Sequence, residues 1–143
     1  MVHFYIMVGN ELAWKSAFKK NLWGFSERTK GLWRTIEPED FVAFYVTYPI
    51  KKIIGFGNIE KKFVSETLFW PDEMIFKRCL WPYRIQFTIL HVINKWHDGI
   101  KVNRIILNQG RKKISENEFE SFLMEAEKLW KVKIHSVFKP VKQ

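Results

Sequence analysis

Aromatic and basic side chains share two stretches of this 143-residue chain, and that pairing is the first chemistry its residues offer. In "NLWGFSERTKGLWR", residues 21–34, Trp23, Phe25 and Trp33 stand beside Arg28, Lys30 and Arg34. In "LFWPDEMIFKRCLWPY", residues 68–83, Trp70, Trp81 and Tyr83 stand beside Lys77 and Arg78, with Arg84 next. Planar bases stack on aromatic faces at about 1–3 kcal/mol per stack, while Lys and Arg follow phosphates. The same tryptophans also suit the closing of a core, and residue types alone leave both readings open.

Other chemistries find little support. His3, His91, His97 and His135 lie far apart, without metal-ligand spacing, and His91 falls in a predicted strand as a structural residue. Cys79 is the lone cysteine, which excludes an intramolecular disulfide framework and reads as a small apolar side chain. No nucleophile elbow or phosphate loop occurs; "GFGNIE" lies within a strand, lacks a third glycine and precedes no helix. Asp72 and Glu73, like Glu39 and Asp40, are neighbours in sequence and read as solvated turn residues. The expectation is a protein that is not an enzyme and needs no cofactor or metal. Two alternatives remain: a small-molecule-binding or enzymatic domain using the same aromatic pocket, and a protein-interaction module with aromatic anchors.

Charge favours an anionic partner. The formal net charge is +9, and residues 116–131 carry −3 of opposing charge, leaving +12 on the rest. A basic balance of this size points to nucleic acid. No stretch reaches the roughly 20 apolar residues of a membrane span, and the first residues do not read as a signal segment, so a cytoplasmic protein is expected. Abundant Lys, Ile and Glu with few Gln fit a thermophile.

The elements that must hold the aromatics follow from pattern. "HFYIMV", residues 3–8, reads as a buried strand ended by Gly9 and Asn10. Asn10 suits an N-cap, and Trp14, Ala17, Phe18 and Leu22 form one apolar stripe, predicting a helix over 11–20. Residues 21–40, broken by Gly24, Gly31 and Pro38, read as a long loop. Residues 41–48 and 52–64 read as an antiparallel pair about the Pro49 turn, with Gly55 and Gly57 marking a bulge or a close approach. The prolines at 71 and 82 argue against a continuous helix in 68–83, which reads as a loop before a central strand over 83–94. "IKVNRIILNQGRKK" reads as strand or extended loop. Ser115 to Glu118 forms a capping box that opens an amphipathic helix, and "KIHSVF" suits a final strand. One α+β domain spanning 1–143 follows, a partly closed, mainly antiparallel β-barrel with flanking helices.

In order and spacing, the chain from about residue 3 to 130 resembles the EVE domains and their YTH relatives, readers of modified bases that share the PUA-like fold. YTH domains have a first strand ending in a polar Asn turn, a helix, and a Trp-containing segment; here "FYIMVGN" and "NLWGFS" are similar. "IIGFGNIE" is similar to the family's glycine-bearing strand, and Trp70 to Trp81 has the eleven-residue spacing of two cage walls in one branch. Gly110 and Arg111 resemble a Gly-Arg pair before the last helix. The resemblance implies a base-binding cage of Trp23, Trp70 and Trp81, with Asn10 on the base edge and Gly24 offering backbone groups. It implies Arg111 on the sugar-phosphate, and the basic residues Arg28, Lys30 and Arg78 join it as phosphate contacts. Val8 stands where YTH domains carry a lysine, and Gly24 where they carry Ser or Cys. The implied partner is nucleic acid, RNA ahead of DNA, with a methylated base flipped into the cage.

Overall fold

The computed structural model describes residues 2–102 and 113–134. Its first strand, β1 (Phe4–Gly9), is buried on both sides: Phe4 and Ile6 join one apolar cluster, Tyr5 and Met7 another. A strand buried on both faces must be apolar almost throughout, and this one is. It pairs in parallel with β3 (Phe41–Val46), from Phe4↔Phe41 to Gly9↔Val46. Three antiparallel ladders extend the sheet through β4 (Lys52–Val64), β5 (Tyr83–Val92) and β2 (Leu22–Phe25), and a fourth joins the short β6 (Lys113–Ile114) to β1. The order is β2-β5-β4-β3-β1-β6, a mixed six-stranded sheet. It curls into a half-barrel and does not close completely.

Four helices complete the described chain. α1 (Glu11–Ala17) follows β1 at once and buries Trp14 and Ala17 in the second cluster. α2 (Lys30–Thr35) leads to β3, and α3 (Pro71–Phe76) lies between β4 and β5. α4 (Glu116–Trp130) lays Phe119, Phe122, Leu123 and Ala126 against the first cluster, the i, i+3, i+4, i+7 stripe of an amphipathic helix. Each large side chain so buried contributes about 1.5–3 kcal/mol. The capping box forms as the sequence implies: Ser115 Oγ accepts from the Glu118 N–H at 3.1 Å, and Glu118 Oε1 accepts from the Ser115 N–H at 2.9 Å.

Two expectations need correction. Residues 21–40 are not a long loop, because Leu22–Phe25 adds the edge strand β2 to β5 and Lys30–Thr35 forms α2 after a 3-10 turn. Gly24, taken as a breaker, sits inside that strand. Residues 68–83 do contain a helix, since Pro71 occupies its first turn, where a missing N–H costs nothing. The β1–β3 pair is parallel, and the other four ladders are antiparallel, as expected of a mainly antiparallel sheet. Most of "KIHSVF" (residues 135–138) and of "IKVNRIILNQGRKK" (residues 103–112) lies outside the described residues.

The glycines of β4 explain how the sheet bends. A Cβ on Gly55 would lie 2.4 Å from the His91 carbonyl oxygen, and one on Gly57 would lie 2.6 Å from Phe44 Cζ. The β4–β5 register shifts between Phe56 and Gly57, a bulge that tightens the curl. Gly55→Ala forces a methyl against the β5 backbone and is expected to destabilise the protein by about 1–3 kcal/mol, measurable as a lower urea midpoint at unchanged slope.

Candidate functional site

The end of β1 and the middle of β2 are separated in the ladder by three other strands, yet both line one cavity of about 210 Å³. Curling of the sheet brings them across its open seam. Val8, Gly9, Asn10 and Ala13 line one side, Trp23 and Gly24 the other, with Trp70 and Trp81 completing the wall. The structure therefore gathers Asn10, Trp23, Gly24, Trp70 and Trp81 around one hollow.

The Trp23 wall is built from behind. Trp14, fully buried, donates its indole N–H to the Tyr45 carbonyl at 2.8 Å, fixing its ring. Trp23 stacks on that ring with centroids 4.1 Å apart and planes 15° from parallel. A Cβ on Gly9 would lie 2.2 Å from Trp23 Cη2, so only glycine lets the indole lie across the end of β1. At the same turn Asn10 caps α1, its Oδ1 accepting from the Ala13 N–H at 2.7 Å. The cap engages Oδ1, which leaves the Asn10 amide NH2, with its two donors, as the freer group toward a guest.

Gly24 presents backbone to the hollow. The Phe87 N–H donates to the Asn21 carbonyl at 3.0 Å, and Leu22↔Gln86, Trp23↔Ile85 and Gly24↔Arg84 follow without a register shift. Bonded and non-bonded pairs alternate in an antiparallel ladder, so Gly24 turns its N–H and C=O away from β5, toward the seam. A Cβ here would meet Trp81 Cβ at 2.6 Å and Trp70 Cη2 at 2.9 Å. The Ser or Cys of the resembling family would not fit between these rings.

Trp70 and Trp81 are fixed by one carboxylate. Glu73, 0% exposed, accepts from the Phe69 and Trp70 N–H groups on Oε1 (2.8 and 3.2 Å) and from the Leu80 and Trp81 N–H groups on Oε2 (2.9 and 3.1 Å). Each oxygen thus holds one tryptophan-bearing segment. Arg84, 2% exposed, adds Nη2 at 3.4 Å from Oε1, and donates from Nε to the Trp81 carbonyl at 3.0 Å and from Nη2 to the Thr67 carbonyl. Its guanidinium also lies 5.2 Å from the Trp70 ring centre. Burial pushes the Glu73 pKa up, but the N–H donors of Phe69, Trp81 and Leu80 outweigh it, and the net shift is downward. Burial and then the Glu73 carboxylate push the Cys79 thiol up, away from the reactive thiolate.

The ring geometry is that of an open box. Trp70, 4% exposed, stands at 84° to Trp23 and 75° to Trp81, with centroids 6.5 and 5.7 Å away. A planar guest lying flat on Trp23 meets Trp70 edge-on. Among the basic residues, Arg28 and Arg78 are exposed, whereas Lys30 is held 2.9 Å from Glu27 and lies over the Tyr83 ring. Arg111 lies outside the described residues. Trp33 is no part of the box, since its indole N–H donates to the Arg84 carbonyl and Lys62 lies over its ring.

Sequence reasoning missed Glu73, read as solvated, and Arg84, read as a phosphate follower; both are buried. A signal existed in "WPDE": an N-cap, Pro at N1 and Glu at N3 are the opening of a helix whose Glu reaches back to the cap. Glu73→Gln replaces an acceptor by a donor facing N–H groups and is expected to cost about 1.5–3 kcal/mol. A depressed folded-state pKa contributes stability that is complete above the ordinary glutamate value and lost as pH falls through the folded one. The difference in melting temperature between wild type and Glu73→Gln should therefore be full near pH 7 and shrink as pH falls below about 4.3.

Compared by sequence, the chain matches no protein-family model and no curated protein. Compared by structure, it is similar to the YTH domain of mmi1 in complex with RNA, at 11% identity over 99% of this chain and 87% of that one, TM-score 0.60. It is similar to the YTH domain of the Zygosaccharomyces rouxii MRB1 protein in complex with N6-methyladenosine RNA, at 14% identity over 86% and 85% of the chains, TM-score 0.55. A hypothetical protein from Leishmania major aligns at 12% identity over 90% and 96%, TM-score 0.59. At such identities the likeness is one of fold: the chain is folded like a YTH domain.

Proposed function

We propose that this protein is a nucleic-acid reader of the EVE type, on a PUA-like fold, that captures one flipped, methylated base in the box of Trp23, Trp70 and Trp81. The observation that carries this reading is the cavity of about 210 Å³, open between the indole of β2 and two indoles from the β4–β5 connection, and edged by outward-facing backbone at Gly24. A YTH domain with N6-methyladenosine RNA among the structures folded alike supports RNA as the polymer and a methylated base as the guest.

The base stacks on Trp23, whose other face is already committed to Trp14. Its edge meets the Asn10 NH2, a donor that calls for an acceptor on the guest, while the Gly24 C=O accepts from an exocyclic amine and the Gly24 N–H donates to an acceptor on the base. Stacking and exclusion of water offset the cost of unstacking the strand. Among the described residues no acidic side chain lines the box itself, and Arg84 already lies against Trp70. Both features disfavour a cationic guest such as a methylated lysine, for which an aromatic box would otherwise serve. A methyl buried among the indoles is worth roughly 1–3 kcal/mol, so selectivity is about 10- to 200-fold. Arg28, Arg78 and Arg111 follow phosphates, with Lys30 available on release from Glu27.

Trp23→Ala and Trp81→Ala are each expected to weaken a methylated oligonucleotide by about 1–3 kcal/mol while changing its unmodified control far less. Fluorescence titration checks this, and equal losses on both strands reduce the box to structure. Asn10→Asp keeps a good cap but removes the donor. It is expected to leave the melting temperature unchanged and cost about 1 kcal/mol of binding. Arg78→Ala should weaken both strands alike and flatten the dependence of affinity on salt.

A further inference from the structure

α3 carries three exposed apolar side chains in a row, Met74, Ile75 and Phe76, and nothing in the proposed box uses them. Glu73 points inward from this helix, and Pro71 and Asp72 line a hollow of about 110 Å³ that shares Asn10, Ala13, Trp70 and Trp81 with the box. Residues four apart lie on one helical face, so Ile75 stands over Pro71 and Phe76 over Asp72. Helical side chains also lean toward the preceding turn, which here is the Pro71–Asp72 turn that lines the hollow beside the box. Across the same hollow, Leu12 of α1 is exposed as well. Lys77 and Arg78 follow Phe76 directly, both exposed.

We propose that Ile75 and Phe76 form a wedge that enters the stack of a double-stranded nucleic acid at the position the captured base vacates. This rests on the reading of the box as a base pocket. Extruding a base leaves a gap between two base pairs, and apolar side chains inserted there replace the lost stacking. Phe76 at 62% and Ile75 at 70% exposure are large enough to fill such a gap and are anchored on a helix that the Glu73 carboxylate locks to the box. The cations beyond the wedge face the phosphates that flank the gap, which an apolar protein partner would not require. The polymer class is thus a duplex in which the base must be extruded, and not only an unpaired strand.

The test compares the wild-type chain with an Ile75→Ser/Phe76→Ser variant, both checked for equal melting temperatures. The probes are an RNA strand carrying one N6-methyladenosine, its duplex, the DNA counterparts of both, and a duplex with an abasic site opposite the methylated base. The variant is expected to bind single strands as wild type does, to lose about tenfold or more on the intact duplexes, and to recover most of that loss opposite the abasic site. Equal losses on strand and duplex, or no loss on the duplex, overturn the wedge. So does wild-type binding of the single strand without the duplex, which leaves the box reading intact. Binding of neither overturns the box reading, and the wedge with it. Self-association of the wild type that the variant abolishes, with duplex affinity unchanged, assigns the patch to a second copy and overturns the wedge.

Discussion

A single buried carboxylate holds the candidate site in shape. Glu73 brings no chemistry to a guest, yet its two oxygens tie the backbone of Phe69 and Trp70 to that of Leu80 and Trp81, eleven residues on. An isolated buried charge is costly, and here four N–H groups and a guanidinium offset it. The consequence is positional. Two indoles on a segment with little regular structure of its own are fixed as firmly as if they stood on adjacent strands, so a guest meets walls already in place and ordering costs fall.

The opposite wall reaches the same rigidity by apolar means. Trp23 is fixed by stacking on Trp14, which is anchored to Tyr45, and both rings need the bare backbone of Gly9 to lie where they do. The box thus has one side secured by hydrogen bonds to a charge and another secured by packing. The two respond differently to conditions: acid loosens the Glu73 side first, whereas salt reaches neither, since Glu73 and Arg84 are buried and the Trp23–Trp14 packing carries no charge.

Much of this was legible in the chain and some was not, for identifiable reasons. β1, β3, β4 and β5 announce themselves through β-branched and aromatic runs, and α4 through its capping box and stripe. β2 stayed hidden because four residues containing a glycine carry no periodicity, and its pairing with β5, some sixty residues on, is a tertiary fact. α3 stayed hidden because proline reads as a breaker, although at N1 it starts a helix. Order and spacing singled out five of the eight residues that line the hollow. What holds them went unread, since an acid in "PDE" looks solvated until the fold closes over it, and only the placing of Pro71 at N1 and Glu73 at N3 hints otherwise. Arg84 misled in the opposite sense: a cation beside tryptophans suggests phosphate, but its backbone and carboxylate partners are internal.

The position of the hollow follows from the unfinished closure of the sheet. In a closed barrel every strand spends its backbone groups on two neighbours, and no polar backbone faces the interior. Here, among the described residues, β2 pairs only with β5, and the outward-facing groups of Gly24 remain at the seam. A seam lined only by indoles would accept any flat apolar molecule. The Gly24 backbone and the Asn10 amide add fixed donors and an acceptor in a largely apolar setting, where leaving a polar group unpaired is costly. The guest that satisfies this arrangement is flat, neutral and polar along one edge. A nucleobase has those properties, and the surplus of positive charge outside the box suits the strand that would carry it.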